Sequence, residues 1–334
     1  MTNTDLLQFD SKGIYCHQAG VYIDPWRKVD KAIITHGHSD HARYGSKSYL
    51  CTEQSVPILK HRLGQKINVA GVKYGETFMV NGVKFSFHPA GHIIGSAQVR
   101  VEYKGEVWVA SGDYKVQDDG ISGAFTPVKC HAFITESTFG LPLYNWKPLP
   151  EVFAEINQWW AECSEENRPA IITTYSLGKA QNLLHNIDRS IGPIYGHAAI
   201  NKMNAVLNQA GLFDVTTLDV DPDKADYGGS LIVTPGSGLN SKWAERFKNA
   251  STASASGWMA LRGARRRRSV DRGFVLSDHA DWEGLNSAIK ATGASKVVVT
   301  HGYQALFSKW LSTQGYEALT QKTLYEGEVL DQAV

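Results

Sequence analysis

The sequence predicts an α/β protein in which one sheet-rich unit is interrupted by a second domain of different texture. Three observations carry this. Short apolar runs bounded by turn residues crowd the first ~140 residues with few helices between them. From about 150 to 265 the pattern changes to strands alternating with helices, the mark of a parallel α/β layer. Short strands then return after Gly273. The chain has 334 residues, 43% of them hydrophobic and 20% charged, so it is too apolar for disorder and long enough for two domains.

Taken in order, GVYID at 20–24 and AIIT at 32–35 read as buried strands, and 53–62 as a helix. Residues 78–88 form a hairpin through Asn81-Gly82, the strongest short hairpin signal. Strands follow at 97–103, 106–110 and 132–135. LPLYNWKPLP at 141–150 holds three prolines and reads as a linker. Beyond it come a helix at 150–165, a strand at 170–174, a helix at 177–188, a short strand at 193–195 and a helix at 199–210. Strands near 215–218 and 230–234 and a helix near 241–248 complete the middle section. Strands at 274–276 and 296–300 alternate with helices at 281–292 and 303–314.

Lys and Arg total 34 against 33 Asp and Glu, a net charge of +1, so global charge argues for neither a nucleic-acid nor a membrane partner. The four cysteines (Cys16, Cys51, Cys130, Cys163) form no CxxC pair and suit a reducing, cytoplasmic compartment. No signal peptide and no transmembrane run is visible, so no membrane association is expected.

Twelve histidines are the informative count. THGHSDH at 35–41 supplies His36, His38, Asp40 and His41 directly after an apolar strand. Side chains alternate on an extended segment, so His36, His38 and Asp40 share one side, and the loop at the strand end turns His41 to the same point. Imidazoles and a carboxylate at this density suit zinc or a similar divalent ion. His92, Asp113 and His301 each follow a further strand-like run. His17, His61, His88, His131, His185 and His197 lack such a context and read as structural.

H-x-H-x-D-H followed by His92, Asp113 and His301 resembles the metallo-β-lactamase superfamily, whose fold is an αββα sandwich. The resemblance implies that His36, His38 and His92 hold one metal. It gives Asp40, His41 and His301 the other, with Asp113 bridging, and makes Asp24 in YIDPW the support of the ligand loop. Two such ions, about 3.5–4 Å apart, lower the pKa of a shared water and polarise the scissile group. The expected cofactors are two divalent ions; the ligands suit zinc, and manganese is the other candidate.

Glu136 in ITESTFG, His279 in LSDHADW and the texture change between 150 and 265 resemble the β-CASP nucleases, in which an α/β domain is inserted into that core. The implied division is 1–148 and 271–334 for the core and 149–270 for the β-CASP insertion. His279 becomes the general acid for the leaving alkoxide and Glu136 its orienting partner, so the catalytic set is His279, Glu136, Asp40 and Asp113.

RGARRRRSVDR at 262–272 is the local basic patch that net charge hides. Arg262, Arg265, Arg266, Arg267, Arg268 and Arg272 are expected to neutralise phosphates. Trp258 is expected to stack a base, and Ser237 and Gly238 in TPGSGLNS to present backbone N–H groups to a phosphate. The segment 256–282 and YIDPW resemble bacterial DNA-ligase-associated exonucleases, which implies a di-metal exodeoxyribonuclease on single-stranded DNA in repair, with a ligase or helicase partner. His301 at the last motif points instead to the RNA-acting branch, the RNase J group and 3′-processing endonucleases, which is the alternative.

Overall fold

Two sheets stack face to face in a computed structural model that describes residues 5–221, 223 and 226–324. The expected core beyond 324 lies outside the described residues. The described residues divide into two compact units, one formed by those of 5–145 and 279–324, the other by those of 146–278.

In the first unit, one sheet runs in chain order: Gln8–Asp10, Gly13–Cys16, Val21–Ile23, Lys31–Ile33, Ser48–Thr52 and Val69–Val72. The other is ordered Glu317–Thr320, Lys296–Thr300, Ala132–Glu136, Glu106–Ala110, Ala97–Tyr103, Val83–Pro89 and Thr77–Val80. Alternation within a strand builds the layers. Trp108 and Ala110 point into the core between the sheets, with Ile23, Ile33, Phe85, Val99 and Ile134. Val107 and Val109 point the other way, onto Leu285, Ile289, Phe307 and Leu311 of helices Trp282–Thr292 and Gln304–Thr313. On the outer face of the first sheet, Ala32, Ile34 and Cys51 meet Leu59 of helix Ser55–Leu63. Helix, sheet, sheet, helix is therefore the layer order: an αββα sandwich.

The strands that bear on the site enter it with good reason. Ala132–Glu136 is buried along its whole length and pairs in parallel with Lys296–Thr300, so Glu136 and Thr300 end side by side. Asp281 caps Trp282–Thr292 by accepting from the Gly284 N–H at 2.8 Å, and Gly293 closes it in the left-handed region.

The second unit is a parallel sheet ordered Leu218–Asp219, Ile194–Gly196, Leu231–Thr234, Ala170–Thr173, Ser251–Ala255 and Arg272–Phe274. From Ala170–Thr173 the chain crosses to one side; after Leu231–Thr234 it passes to the other. That reversal makes the carboxyl ends of the central strands a switch point, where open α/β sheets bind ligands. Helix Leu149–Glu165 opens with a proline in its first turn and buries Val152, Phe153, Ile156, Trp159, Trp160 and Cys163 as one stripe.

Two local readings differ from the sequence expectation. The helix near 241–248 is only a 3-10 turn at Ala244–Arg246, and the Gly/Ser loop contains a helical turn, Gly236–Leu239. Pro235 sets that turn up, and Gly238 is required because a Cβ there would sit 2.0 Å from the Thr234 hydroxyl. Among the described residues no helix is long and apolar enough to cross a membrane.

Candidate metal centre and its acid pair

The ligand-type side chains converge because their loops are fixed by local bonds. Asp24 accepts from the Thr35 N–H at 2.8 Å and from the Thr35 hydroxyl at 2.5 Å. The Thr35 proton is thereby committed, so its oxygen receives His36 Nδ1–H at 3.0 Å and leaves His36 Nε2 with its lone pair. Asp24 also takes His41 Nδ1–H at 2.7 Å, which turns His41 Nε2 inward. Asp24 and His301 both adopt positive φ, 45° and 53°, a strained choice for non-glycine residues and one that gathers at functional sites. Gly112 brings its loop so close to Thr35 that a Cβ would lie 2.7 Å from the threonine side chain, which sets Asp113 against the His36 loop.

Asp113 is the hub. Its Oδ2 lies 3.5 Å from His36 Nε2, 3.4 Å from His41 Nε2 and 3.8 Å from His92 Nε2; its Oδ1 lies 3.7 Å from His301 Nδ1. His38 Nδ1 and His92 Nε2 are 3.0 Å apart. Among the described residues the ligand atoms gather within 4.8 Å in overlapping groups: His36, His38, His92 and Asp113; His41, Asp113 and His301; His92, Asp278 and His279; and Asp113, Glu136 and His279. Asp40 flanks the second, its Oδ2 3.7 Å from His41 Nε2.

The donor set fits a pair of divalent cations. His36 Nε2, His41 Nε2 and Asp113 Oδ1 are buried without a hydrogen-bond partner, an arrangement that costs free energy unless a cation takes the lone pairs. Burial, reinforced by the neighbouring His41, holds the His36 imidazole well below its usual range and so neutral, the form that ligates. Burial alone would lower His41 too, but Asp113, Asp40 and Asp24 hold it well above the ordinary value. Conversely, burial raises Asp113, yet His41 and His301 keep it well below the carboxylate range. Protons here are stand-ins for positive charge that an ion would supply.

Beside this cluster stands a second device. His279 Nδ1 lies 2.8 Å and 3.0 Å from the two Glu136 carboxylate oxygens. Glu136 Oε1 also accepts from the Tyr114 N–H at 2.8 Å, and Oε2 from the Thr138 hydroxyl at 2.5 Å. A carboxylate with donors on both oxygens is held in one orientation. It holds the imidazole through Nδ1 and so orients Nε2; the His279 and His92 rings are 4.6 Å apart. His279 and Glu136 are 3% and 1% exposed. Tyr114, Thr138 and Thr35 escape a reading of the sequence because they act through common hydroxyls and one backbone N–H, which carry no motif.

The residues expected to meet nucleic acid are spread unevenly through the second unit. Ser237 and Arg268 line a cavity of about 150 Å³ with Thr173, Thr174, Tyr175 and Ser176, at the carboxyl ends of the central strands. Arg268 Nη1 donates to Ser254 Oγ at 3.0 Å. The arginine run contains a helical turn, Ala264–Arg267, from which Arg265, Arg266 and Arg267 project into solvent, with Arg262 exposed just before it. Arg272 is exposed and 3.8 Å from Glu162. Gly238 is buried inside its own turn. Trp258 is also buried, 6% exposed, because the 3-10 turn Gly257–Ala260 folds its ring inward. It is a core residue and not an open stacking platform, which corrects the expectation.

No family model matches the chain. Among curated proteins it is 29% identical over 311 residues, 92% of the chain but 30% of the relative, to a probable DNA ligase of Opitutus terrae. It is 26% identical over 214 residues to an RNase J-like protein of Methanocaldococcus jannaschii, covering 54% of this chain and 50% of that one. A third relative, cleavage and polyadenylation specificity factor subunit 3 of Dictyostelium discoideum, is 33% identical over 119 residues, 35% of this chain and 15% of that one. The chain therefore spans only a third to a half of the length of the first two. A solved structure described as a protein of unknown function from Enterococcus faecalis V583 superposes with a TM-score of 0.60 at 10% identity, over 89% of this chain and 80% of that one, which speaks to fold alone. A ligand-lined αββα sandwich, a second α/β unit between its two segments in sequence, and similarity to a probable DNA ligase, an RNase J-like protein and a cleavage and polyadenylation factor subunit are together consistent with a metallo-β-lactamase-fold β-CASP nuclease.

Proposed function

We propose that the protein is a di-metal phosphodiesterase that removes nucleotides from an end of single-stranded DNA during repair. One observation carries the reading: a buried His279–Glu136 pair, at 2.8 Å, set beside seven metal-ligand side chains. His36, His38, His92 and Asp113 would hold one ion and Asp40, His41, His301 and Asp113 the other; zinc suits the donors, and manganese would be tolerated. When bound, such ions supply an activated water and neutralise charge on the phosphodiester. The chain's own residues do the rest. Asp24 and Thr35 engage Nδ1 of His41 and His36 and so turn each Nε2 toward an ion, and Glu136 holds His279 so that Nε2 donates a proton to the departing alkoxide.

The division into a core of 1–148 and 271–334 with an insertion of 149–270 belongs to the same reading. The insertion is the substrate-binding part. Ser237 and Arg268 in the switch-point cavity meet a backbone phosphate, and the exposed arginines of 262–272 add sequence-independent attraction. DNA is favoured because the similarity that runs over 92% of the chain is to a probable DNA ligase, which also suggests a ligase as the physical partner. The four free, buried cysteines suit a reducing cytoplasm. RNA is the second reading, favoured by the RNase J-like relative. A digest of end-labelled single-stranded DNA and matched RNA with Zn²⁺ or Mn²⁺ decides. A ladder of mononucleotide steps on DNA alone supports the proposal; cleavage of RNA alone transfers it to the second reading, and no cleavage of either removes it.

A further inference from the structure

Lys179 is a buried lysine with an uncommon address. It is the first residue of helix Lys179–Asn186, where the dipole favours anions and disfavours a cation. Its side chain is 1% exposed, and its Nζ lies 3.0 Å from Asp278 Oδ1, itself 3% exposed. The Tyr175 ring covers the ammonium at 4.7 Å. At the helix start the Gly178 N–H donates to Gln181 Oε1 at 2.7 Å, and Gln181 is tied in turn to Asn204. A rigid helix end therefore presents a buried cation to one carboxylate.

That carboxylate belongs to the residue immediately before His279. The segment Val275–Ala280 is in neither helix nor strand, so no ladder of backbone bonds sets its course. Downstream, the Ala280 N–H donates to the Tyr114 carbonyl at 2.7 Å. Upstream, Asp278 is tied to Lys179, and its carboxylate also comes within 4.8 Å of ring nitrogens of His92 and His279. The backbone at His279 is thus tied through the residue on either side, while Glu136 holds the imidazole itself.

We infer that Lys179 is a positioning residue that sets His279 through Asp278, an inference that rests on His279 acting as the acid. A displaced acid matters only where the leaving group needs its proton. The metal-loaded full chain is assayed on two substrates: single-stranded DNA, whose alkoxide leaves poorly, and bis(p-nitrophenyl) phosphate, whose phenolate leaves without help. Lys179→Met lowers kcat on DNA about 100-fold, the scale for a misplaced group, leaves KM within a factor of two, about the scatter of a single contact, and spares the chromogenic substrate. Lys179→Arg restores most of the DNA rate. Lys179→Met/Asp278→Asn removes both buried charges, recovers melting temperature and metal content, and stays slow on DNA.

Wild-type kcat in Lys179→Met or in the double variant overturns the inference. So does a loss that tracks melting temperature or metal content, or one that is equal on both substrates, because the pair is then an element of the fold. Failure of the underlying reading looks different: His279→Ala would then lose both substrates alike, or the wild type would cut no nucleic acid.

Discussion

His279 and Asp113 lie in one buried cluster, and single substitutions separate their work. Asp113 touches both proposed sets of ligands through its two oxygens, so Asp113→Ala removes the shared anion and strands His41 beside too few carboxylates. Bound metal measured by emission spectroscopy should fall, with phosphodiester cleavage lost alongside; near-normal activity would remove the two-ion reading. His279 bonds to Glu136; it comes within 4.8 Å of ligand atoms of His92 and Asp113, but in the proposed assignment it is the acid and not a ligand. His279→Ala should therefore keep its metal and lose turnover by about 10²–10⁴-fold, the range of general acid catalysis. Asp24→Asn probes the support. It weakens the acceptor of His41 Nδ1–H and of Thr35, so metal affinity should drop about 10–100-fold, the usual cost of such a partner, with little change in fold. A titration with a competing chelator measures it, and unchanged affinity would make Asp24 a plain turn residue.

At the scale of elements, the arginine run divides into two classes that should behave differently. Arg265, Arg266 and Arg267 sit on an exposed helical turn and act as diffuse charge, whereas Arg268 is half-buried and lines the switch-point cavity. Replacing the first three with Ala should weaken DNA binding and reduce the slope of log affinity against log salt by about 0.9 for each phosphate no longer neutralised. Arg268→Ala should cost affinity that persists at high salt, because a half-buried group is screened little. Fluorescence anisotropy across a salt series distinguishes them; identical salt slopes would merge the classes. The same segment shows what the sequence can and cannot disclose. Its charge is plain, as are the ligands, because His and Asp at successive strand ends have few bland explanations. Trp258 misleads because a ring beside a basic run gives no sign of which way a 3-10 turn will fold it. The strands Gln8–Asp10, Gly13–Cys16 and Ser48–Thr52 are hard to read: they are short, and QFD and SYLCT mix polar and apolar residues without a clean period of two. The supports Tyr114, Thr138 and Lys179 are invisible for a related reason, since their roles follow from where the backbone carries them.

For the whole molecule, two separate cores carry different chemistry, and solvent conditions should address them one at a time. The proposed ligands belong to the first unit. Zinc at about 100 times its Kd should therefore raise that unit's stability by about 2.7 kcal/mol for each ion bound while the second unit's transition stays where it was. Alkali works on the same unit from the opposite direction. Burial pushes the Cys51 thiol up to about 12 and Cys130 to about 11, and it also raises the Tyr74, Tyr114 and Tyr144 hydroxyls. All five lie in the first unit; in the second, Cys163 is raised in the same direction. The sign follows from proton linkage. A folded-state pKa above the unfolded value means that the native state holds its proton more tightly. Its contribution is complete below the unfolded pKa, about 8.5 for Cys and 10 for Tyr, and is lost as pH climbs through the folded value. Calorimetry between pH 8 and 11 should show the metal-responsive transition falling faster than the other, and alkylation of Cys51 and Cys130 should stay slow at pH 8 until that transition is crossed. Rapid labelling of both thiols in the native protein, or two transitions that fall in parallel, would show that these buried groups do not set the alkaline limit.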